Sequence, residues 1–287
     1  MHIENKVLAC VDQSPFADHV GDYAAWAAAR MDAPLELLHV IERHPEIGDT
    51  RDHSGALTPN AQEQLLSELS AQDEIHTRRA REQGRIFLNR LRERALAAGV
   101  ESVDMRQRHG LLDDTLRDWE PGVRLFVLGR HGQSAVANRP DLGSNVERVV
   151  RVLQRPVLTV TEDFQAPKRV LIAFDGSVLT QRGVQMVAES PLLRGLPVRL
   201  LMVGKSRQAG PREMELAAGS LRKAGFTVQE SIQDGDAQEV ILQTIASESI
   251  DLLVMGAYSH ARWRSMVFGS KTGDLLRKVR IPALLLR

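Results

Sequence analysis

The chain has 287 residues, enough for about two ordinary domains, and its 37 basic and 37 acidic side chains cancel, which gives no reason to expect a nucleic acid or an anionic membrane as its main partner. A single cysteine, Cys10, excludes an internal disulfide and suits a reducing compartment; set in an apolar run, it reads as a small buried hydrophobe. The N-terminus lacks a basic start with a signal-length apolar core, and no apolar run approaches the roughly 20 residues of a membrane span, so a cytoplasmic location is expected.

Lys6 to Val11 is apolar almost throughout, as a strand covered on both faces is, and it ends at Asp12-Gln13-Ser14-Pro15. Ser14 is expected to cap the following helix, with Pro15 at its first position and Phe16, Val20, Ala24, Ala27 and Met31 along its apolar face. Leu35 to Ile41 is the next strand, and a strand, helix and strand this close together imply a right-handed parallel crossover. Between His44 and Arg81 lies a polar stretch with Pro45, Gly48, Gly55 and Pro59, then a charged helix; it reads as a solvated excursion with a lengthened helix, the alternative being a functional lid. Val103 to Gln107 is the third strand of this half, and Leu125 to Leu128, ending at Gly129, the fourth.

The pattern then repeats. Lys6 to Ser14 corresponds to Arg169 to Ser177, and Leu37-Leu-His39-Val40 to Leu200-Leu-Met202-Val203, both at an offset of 163. Further on, Leu125 to Gly129 matches Leu252 to Gly256 and Gly143-Ser144 matches Gly269-Ser270, at offsets of 127 and 126, so the first half carries the extra length. A polar linker, Thr161 to Pro167, separates the halves, giving expected domains 1–161 and 168–287 with an insertion near 44–81. In the second half the third strand is expected at Thr227 to Ser231, with Asp234-Gly-Asp236 capping a helix from Ala237 to Glu248. The expected fold class is α/β: two tandem Rossmann-like domains, each a five-stranded parallel sheet with helices on both faces. Open sheets of this kind bind ligands outside the carboxyl ends of their strands where the strand order reverses, which would place Asp12 beside Gly129 and Asp175 beside Gly256.

The segment from Ile250 to Lys278 has the strongest chemical signal. A buried strand, Leu252 to Met255, stops at Gly256, and Gly269-Ser270 opens a helix whose apolar positions are Leu275, Leu276 and Val279. Unpaired amides at such a helix start, the hydroxyls of Ser270 and Thr272 and the ammonium of Lys271 together suit an anion; an ordinary capped helix after a long loop is the plainer reading.

With an aspartate closing strand one, and Gly, two residues, Gly, nine residues, Gly and Ser or Thr following strand four, each half resembles a universal stress protein domain, and the resemblance covers essentially the whole chain. It implies a tandem protein of the ATP-binding branch, with the adenine nucleotide alpha hydrolase-like variant of the Rossmann fold, a stress-response role and no established catalytic reaction. Carried over residue by residue, it gives nucleotide contacts at Asp175, Val203, Met255, Gly256, Ser259, Gly269, Ser270, Lys271 and Thr272 in the second half. A less complete set in the first half comprises Asp12, Val40, Gly129, Gly132, Gly143 and Ser144. The second half departs from the pattern at Ser259, where glycine is usual, although His260, Arg262 and Arg264 add positive charge nearby. The first half has ten residues between Gly132 and Gly143 and places Pro140 and Asp141 among them, an acid that a polyphosphate tolerates only with a bridging cation such as Mg²⁺.

Other chemistry has less support. The histidines lack zinc-ligand spacing, His39 reads as a packed strand residue, no serine sits in a Gly-x-Ser-x-Gly elbow, and Gly269 to Thr272 lacks the earlier glycine of a Walker loop. The leading expectation is therefore a sensor or signalling module that binds ATP or another adenine nucleotide, with or without Mg²⁺, and reports to unidentified protein partners. A slow ATPase or self-phosphorylating protein, and an interaction module with degenerate pockets, are the alternatives. The last strands, Val157 to Val160 and Ala283 to Leu286, are apolar edges that need cover; antiparallel pairing between them would make an intramolecular pseudo-dimer and leave any homodimer to other surfaces.

Overall fold

The computed structural model describes residues 5–41, 59–130, 144–161, 163–204, 210–257 and 270–287, with side chains described from residue 78 in the second segment, 146 in the third and 273 in the last. The first half runs β1 (Lys6–Cys10), α1 (Ala17–Met31), β2 (Leu35–Ile41), α2 (Pro59–Ala97), β3 (Val103–His109), α3 (Leu112–Trp119), β4 (Val123–Gly129), α4 (Ser144–Val152) and β5 (Val157–Val160). The second runs β6 (Val170–Ala173), α5 (Val178–Glu189), β7 (Val198–Val203), α6 (Gly210–Lys223), β8 (Val228–Gln233), α7 (Ala237–Ser247), β9 (Leu252–Gly256), α8 (Ser270–Lys278) and β10 (Ala283–Leu286). Strict alternation of buried strand and amphipathic helix leaves a parallel sheet with helices on both faces as the arrangement that covers every apolar surface.

Both halves join in one ten-stranded sheet of order β3-β2-β1-β4-β5-β10-β9-β6-β7-β8. Every pairing within a half is parallel, while β5 and β10 meet antiparallel with Thr159 opposite Ala283, Leu158 opposite Leu284 and Val157 opposite Leu285. The expected pairing of the two edges thus occurs, and all eight residues of the two strands are buried. Two apolar clusters lie on the two faces. One gathers α1, α2, α5 and α6 residues, the other residues of α3, α4, α7 and α8, and each runs through both halves.

Two arginines tie each half to a helix of the other. Arg130, 3% exposed, follows β4 and donates to the Thr159 hydroxyl (3.2 Å) and to the carbonyls of Leu276 (3.1 Å), Val279 and Ile281 (2.8 Å), at the end of α8. Reciprocally, Arg287 donates to the carbonyls of Val150 (3.3 Å), Arg151 and Leu153 (3.0 Å) at the end of α4. Each guanidinium satisfies carbonyls that have no partner inside their own helix and places a positive charge at the negative end of the helix dipole. Desolvation pushes the Arg130 pKa down to about 10, so the side chain stays charged at neutral pH. Arg277 adds a bond to Glu147 at 3.2 Å between α8 and α4. On the opposite face Arg30 of α1 donates to the carbonyls of Leu192 (2.5 Å) and Arg194, and Phe164 of the linker packs edge-on to Tyr23 at 4.8 Å between ring centres. The polar linker is therefore seated on α1 through its one aromatic residue.

Some expectations are corrected. Ser14 does not cap α1 and Pro15 is not its first residue: Phe16 holds the cap position without a side-chain bond, and the helix begins at Ala17. The Asp12 carboxylate takes the Ser14 N–H at 3.1 Å, and Ala17 N–H bonds Ser14 O in a tighter turn, so the α-helical ladder starts only with Val20 N–H to Phe16 O. In the second half Ser177 does cap α5, accepting from the Thr180 N–H at 3.3 Å, and Asp236 caps α7. β3 and β8 each run two residues past the expected ends, because β2 and β7 offer backbone partners as far as Ile41 and Val203 after the apolar alternation has faded. The insertion beyond residue 41 lies outside the described residues up to 58, after which α2 runs for 39 residues against 14 in α6. No helix among the described residues is long and apolar enough to cross a membrane.

Replacing Arg130 by Met removes the clamp and leaves three buried carbonyls and a hydroxyl short of a donor. Urea unfolding is expected to show a loss of about 3 kcal/mol, with the mass of the chain in solution unchanged.

Candidate nucleotide site

Within each half the strand order reverses between the first strand and the fourth, and sheet register fixes what meets there. Ala173 pairs with Leu201 on one side and Met255 on the other, so Asp175, Val203 and Gly256 all emerge at the carboxyl ends of β6, β7 and β9. Cys10 pairs with Leu38 and Leu128, which brings Asp12, Val40 and Gly129 to the matching mouth of the first half. Helix α8 leads from the carboxyl end of β9 to the start of its parallel neighbour β10, so its N-terminus, at Ser270, must lie on the mouth side; the same topology places the N-terminus of α4, at Ser144, on the mouth side of the first half.

The second mouth is built around Asp175. Its Oδ1 accepts from the Ser177 N–H at 2.9 Å and from the Thr180 hydroxyl at 2.7 Å. Partial burial would raise the pKa of this carboxyl, but the bonds from Ser177 and Thr180 outweigh that effect and hold it below the ordinary carboxylate value. The group is thus an ionised, oriented acceptor with its second oxygen available. Thr180 also packs on the fourth strand: a Cβ built on Gly256 would lie 3.5 Å from Thr180 Cγ2 and 3.1 Å from Leu179 Cδ2. One threonine therefore fixes the spacing between the acid and the start of the glycine loop. Met255 and Val203 belong to the apolar cluster beneath the mouth and form its floor.

Between Asp175 and the cap Ser177, Gly176 adopts φ +75°, a conformation that costs a side-chain-bearing residue about 1 kcal/mol. A Cβ there would also come within 2.2 Å of Glu213 Oε2 on α6. Glycine thus lets a second carboxylate lie against the Asp175 turn. Gly210, one turn earlier on α6, brings that helix against Met202 of β7, where a Cβ would meet the sulfur at 3.2 Å. The first half repeats the device at an offset of 126: Gly84 of α2 rests against His39 and Gln107. His39 is buried, its Nδ1 2.9 Å from the Val11 carbonyl oxygen and its ring edge-on to Phe87, which is a packed strand residue as expected. The two mouths differ in polarity. Ala17 stands where the second half has Thr180, and Phe87 where it has Glu213, so Asp12 lacks a hydroxyl donor from that position.

Of the expected contact residues, Asp175, Val203, Met255 and Gly256 come together at one mouth, and Asp12, Val40 and Gly129 at the other. Ser144, Ser270, Lys271 and Thr272 lie in the first turns of α4 and α8. Gly132, Gly143, Ser259 and Gly269 lie outside the described residues. Thr180 and Glu213 were not singled out in the sequence. Thr180 had a local signal, a hydroxyl three residues after a cap serine; Glu213 had none, since only helix packing brings it to the Asp175 turn. Desolvation pushes the Cys10 thiol far above its usual range, so it is no nucleophile. Among the described residues no group of three or more His, Cys, Asp or Glu side chains is placed to hold a metal ion.

The family model for the universal stress protein family matches residues 4–161 and again 167–287. The chain belongs to the universal stress protein family. It is a tandem member, with 33% identity over 285 residues to a universal stress protein of Synechocystis sp., covering 98% of this chain and 99% of that one. A universal stress protein of Mycolicibacterium smegmatis is 26% identical over 305 residues, with 99% and 97% covered. The crystal structure of a universal stress protein from Archaeoglobus fulgidus has the same fold, with a TM-score of 0.68, 17% identity and coverage of 99% and 97%.

Thr180→Val tests how the acid is held. With one donor lost, the Asp175 side chain should titrate closer to the ordinary carboxylate value in carbon-detected NMR. A depressed folded-state pKa contributes stability that is present above the unfolded value and is lost as pH falls through the folded one. Wild type should therefore exceed the variant in stability at neutral pH, and the electrostatic part of that difference should vanish once the pH lies below the wild-type titration.

Proposed function

We propose that this tandem universal stress protein binds ATP or another adenine nucleotide at the mouth of its second half, and more weakly at that of the first, and that occupancy signals to protein partners in a stress response. The single observation that carries this reading is the convergence of Asp175, Val203 and Gly256 at the strand-order reversal, with the N-terminus of α8 on the same side. An ionised carboxylate whose second oxygen is available suits the ribose hydroxyls or the amino group of the base. Val203 and Met255 offer the base an apolar surface. The first amides of α8, at Ser270 to Thr272, with the Lys271 ammonium, suit phosphate oxygens, whose charge the positive end of the helix dipole favours. Glu213 near the Asp175 turn favours the neutral, hydrogen-bond-donating part of the ligand there and keeps the phosphates toward α8.

A signalling role draws support from where α8 goes. In this reading the helix starts at the phosphates and ends on Arg130, which belongs to the other half and directly follows Gly129 of the first loop. Movement of α8 on ligand binding would be felt by the opposite half through the clamp. Mg²⁺, where it accompanies the nucleotide, is expected on the phosphate oxygens.

Isothermal calorimetry at millimolar ATP with Mg²⁺ tests the reading. Wild type should give saturable heat, Asp175→Ala should bind about tenfold more weakly, and Gly269→Glu, which sets a carboxylate among the phosphates, should lose binding. No heat from wild type, or equal binding by Gly269→Glu, would sink the proposal. Release of phosphate over hours, lost in Asp175→Ala, would move the assignment to a slow ATPase.

A further inference from the structure

A cleft of about 270 Å³ opens on the α1 and α5 face of the junction between the halves, and its lining includes none of the candidate nucleotide-contact residues. Its aliphatic wall residues come from both halves: Met31 ends α1, Leu125 lies in β4, Leu193 follows α5, and Leu284 and Leu286 lie in β10, all of them buried. A cleft of this size would hold about nine water molecules. Polar groups line only part of it, at Arg124, Gln154, Arg155, Glu189 and Ser190. The same seam is closed elsewhere by a side chain: eight residues back along α1, Phe164 of the linker packs on Tyr23. At the Met31 end no aromatic side chain among the described residues lines it.

Charge in the cleft lies toward solvent. Arg155 and Glu189 are exposed and Arg124 half-buried, and all three contribute to the lining. The Glu189 carboxylate accepts from Gln185 Nε2 at 2.6 Å. Among the described residues no carboxylate pairs with the guanidinium of Arg124 or Arg155. An apolar interior with guanidinium groups at its mouth is complementary to a small amphiphile with an anionic head. Ligand sites are commonly such clefts at domain interfaces, apolar with a few orienting polar groups. We propose that the cleft is a binding site for a medium-chain aliphatic carboxylate, its chain among Met31, Leu193 and Leu284 and its head at Arg124 and Arg155. Arginine binds a carboxylate through two parallel hydrogen bonds, which an ammonium or alcohol head cannot accept in the same way. Because both halves supply walls, the site exists only in the joined tandem chain.

The test is a titration of full-length protein, methyl-labelled at methionine, with decanoate below its micelle concentration, without nucleotide. Saturable shifts confined to Met31 and Met186, the two methionines lining the cleft, are expected. Decylamine and decanol should bind about tenfold more weakly, and an Arg124→Gln, Arg155→Gln double variant should erase that preference. Leu193→Trp should abolish binding; as it could also impair folding, Met186→Trp at a half-buried wall position provides a second block. Absence of saturable shifts, shifts spread over all eight methionines, equal binding of decylamine, or undiminished binding by a folded Trp variant would each overturn the proposal.

Discussion

The antiparallel bond between β5 and β10 is the constraint on which the rest of the molecule depends. Each half ends in a short strand that is apolar except for Thr159, and exposed alone such an edge presents unpaired N–H and C=O groups with no charged residue to deter a partner. Antiparallel pairing of equivalent strands generates an approximate twofold relation between the halves, and the order of all ten strands follows from it. The two sheet ends left over, β3 and β8, carry charged and polar residues, among them Arg106, Arg108, Gln229 and Glu230. Apolar edges are thus consumed inside the chain, and polar ones are left to solvent.

The pairing also brings the ends of α4 and α8 within reach of arginines from the opposite half. Arg130 and Arg287 occupy similar roles without being repeat partners: at the position equivalent to Arg130 the second half has Ala257, whose N–H bonds Leu286. Duplication supplied the symmetric frame, and later divergence equipped it with asymmetric fastenings. Arg130 stands immediately after Gly129, the first glycine of one candidate loop, and caps the C-terminal end of α8, the helix that follows the other, so the fastening and the candidate sites share a backbone.

The halves have diverged at their mouths as well. Asp175 receives a hydroxyl bond from Thr180 and has Glu213 nearby; Asp12 has alanine and phenylalanine at the matching positions. A hydroxyl and a carboxylate at these two positions of the second half, against two apolar side chains in the first, accord with the division of labour proposed for the two sites. What the halves keep in common is geometric: a glycine on the second helix that lets it approach the second strand, at Gly84 and Gly210.

The sequence by itself determined the α/β class, the duplication, the strand and helix order, and the placing of Asp12 and Asp175 at strand ends, because buried strands, periodic helices and glycine stops are local patterns of residue type. The apolar character of Val157 to Val160 and Ala283 to Leu286 was enough to anticipate their pairing, since the penalty for exposing an edge does not depend on the details around it. The start of α1 did not follow from its cap residue: Asp12 and Asp175 accept the same bond from the serine two residues on, yet only Ser177 caps its helix, with Thr180 beside it where the first half has Ala17. Tertiary structure alone decided the reach of β3 and β8, which neighbouring strands extended beyond their own apolar pattern, and the burial of the Lys6 and Glu36 pair within the sheet. Arg130 looked like any charged residue beside a loop, and Glu213 like any acid in a first helical turn. Their roles depend on partners more than 25 residues away in the chain, at Leu276 and at Gly176, and no local pattern records such distances.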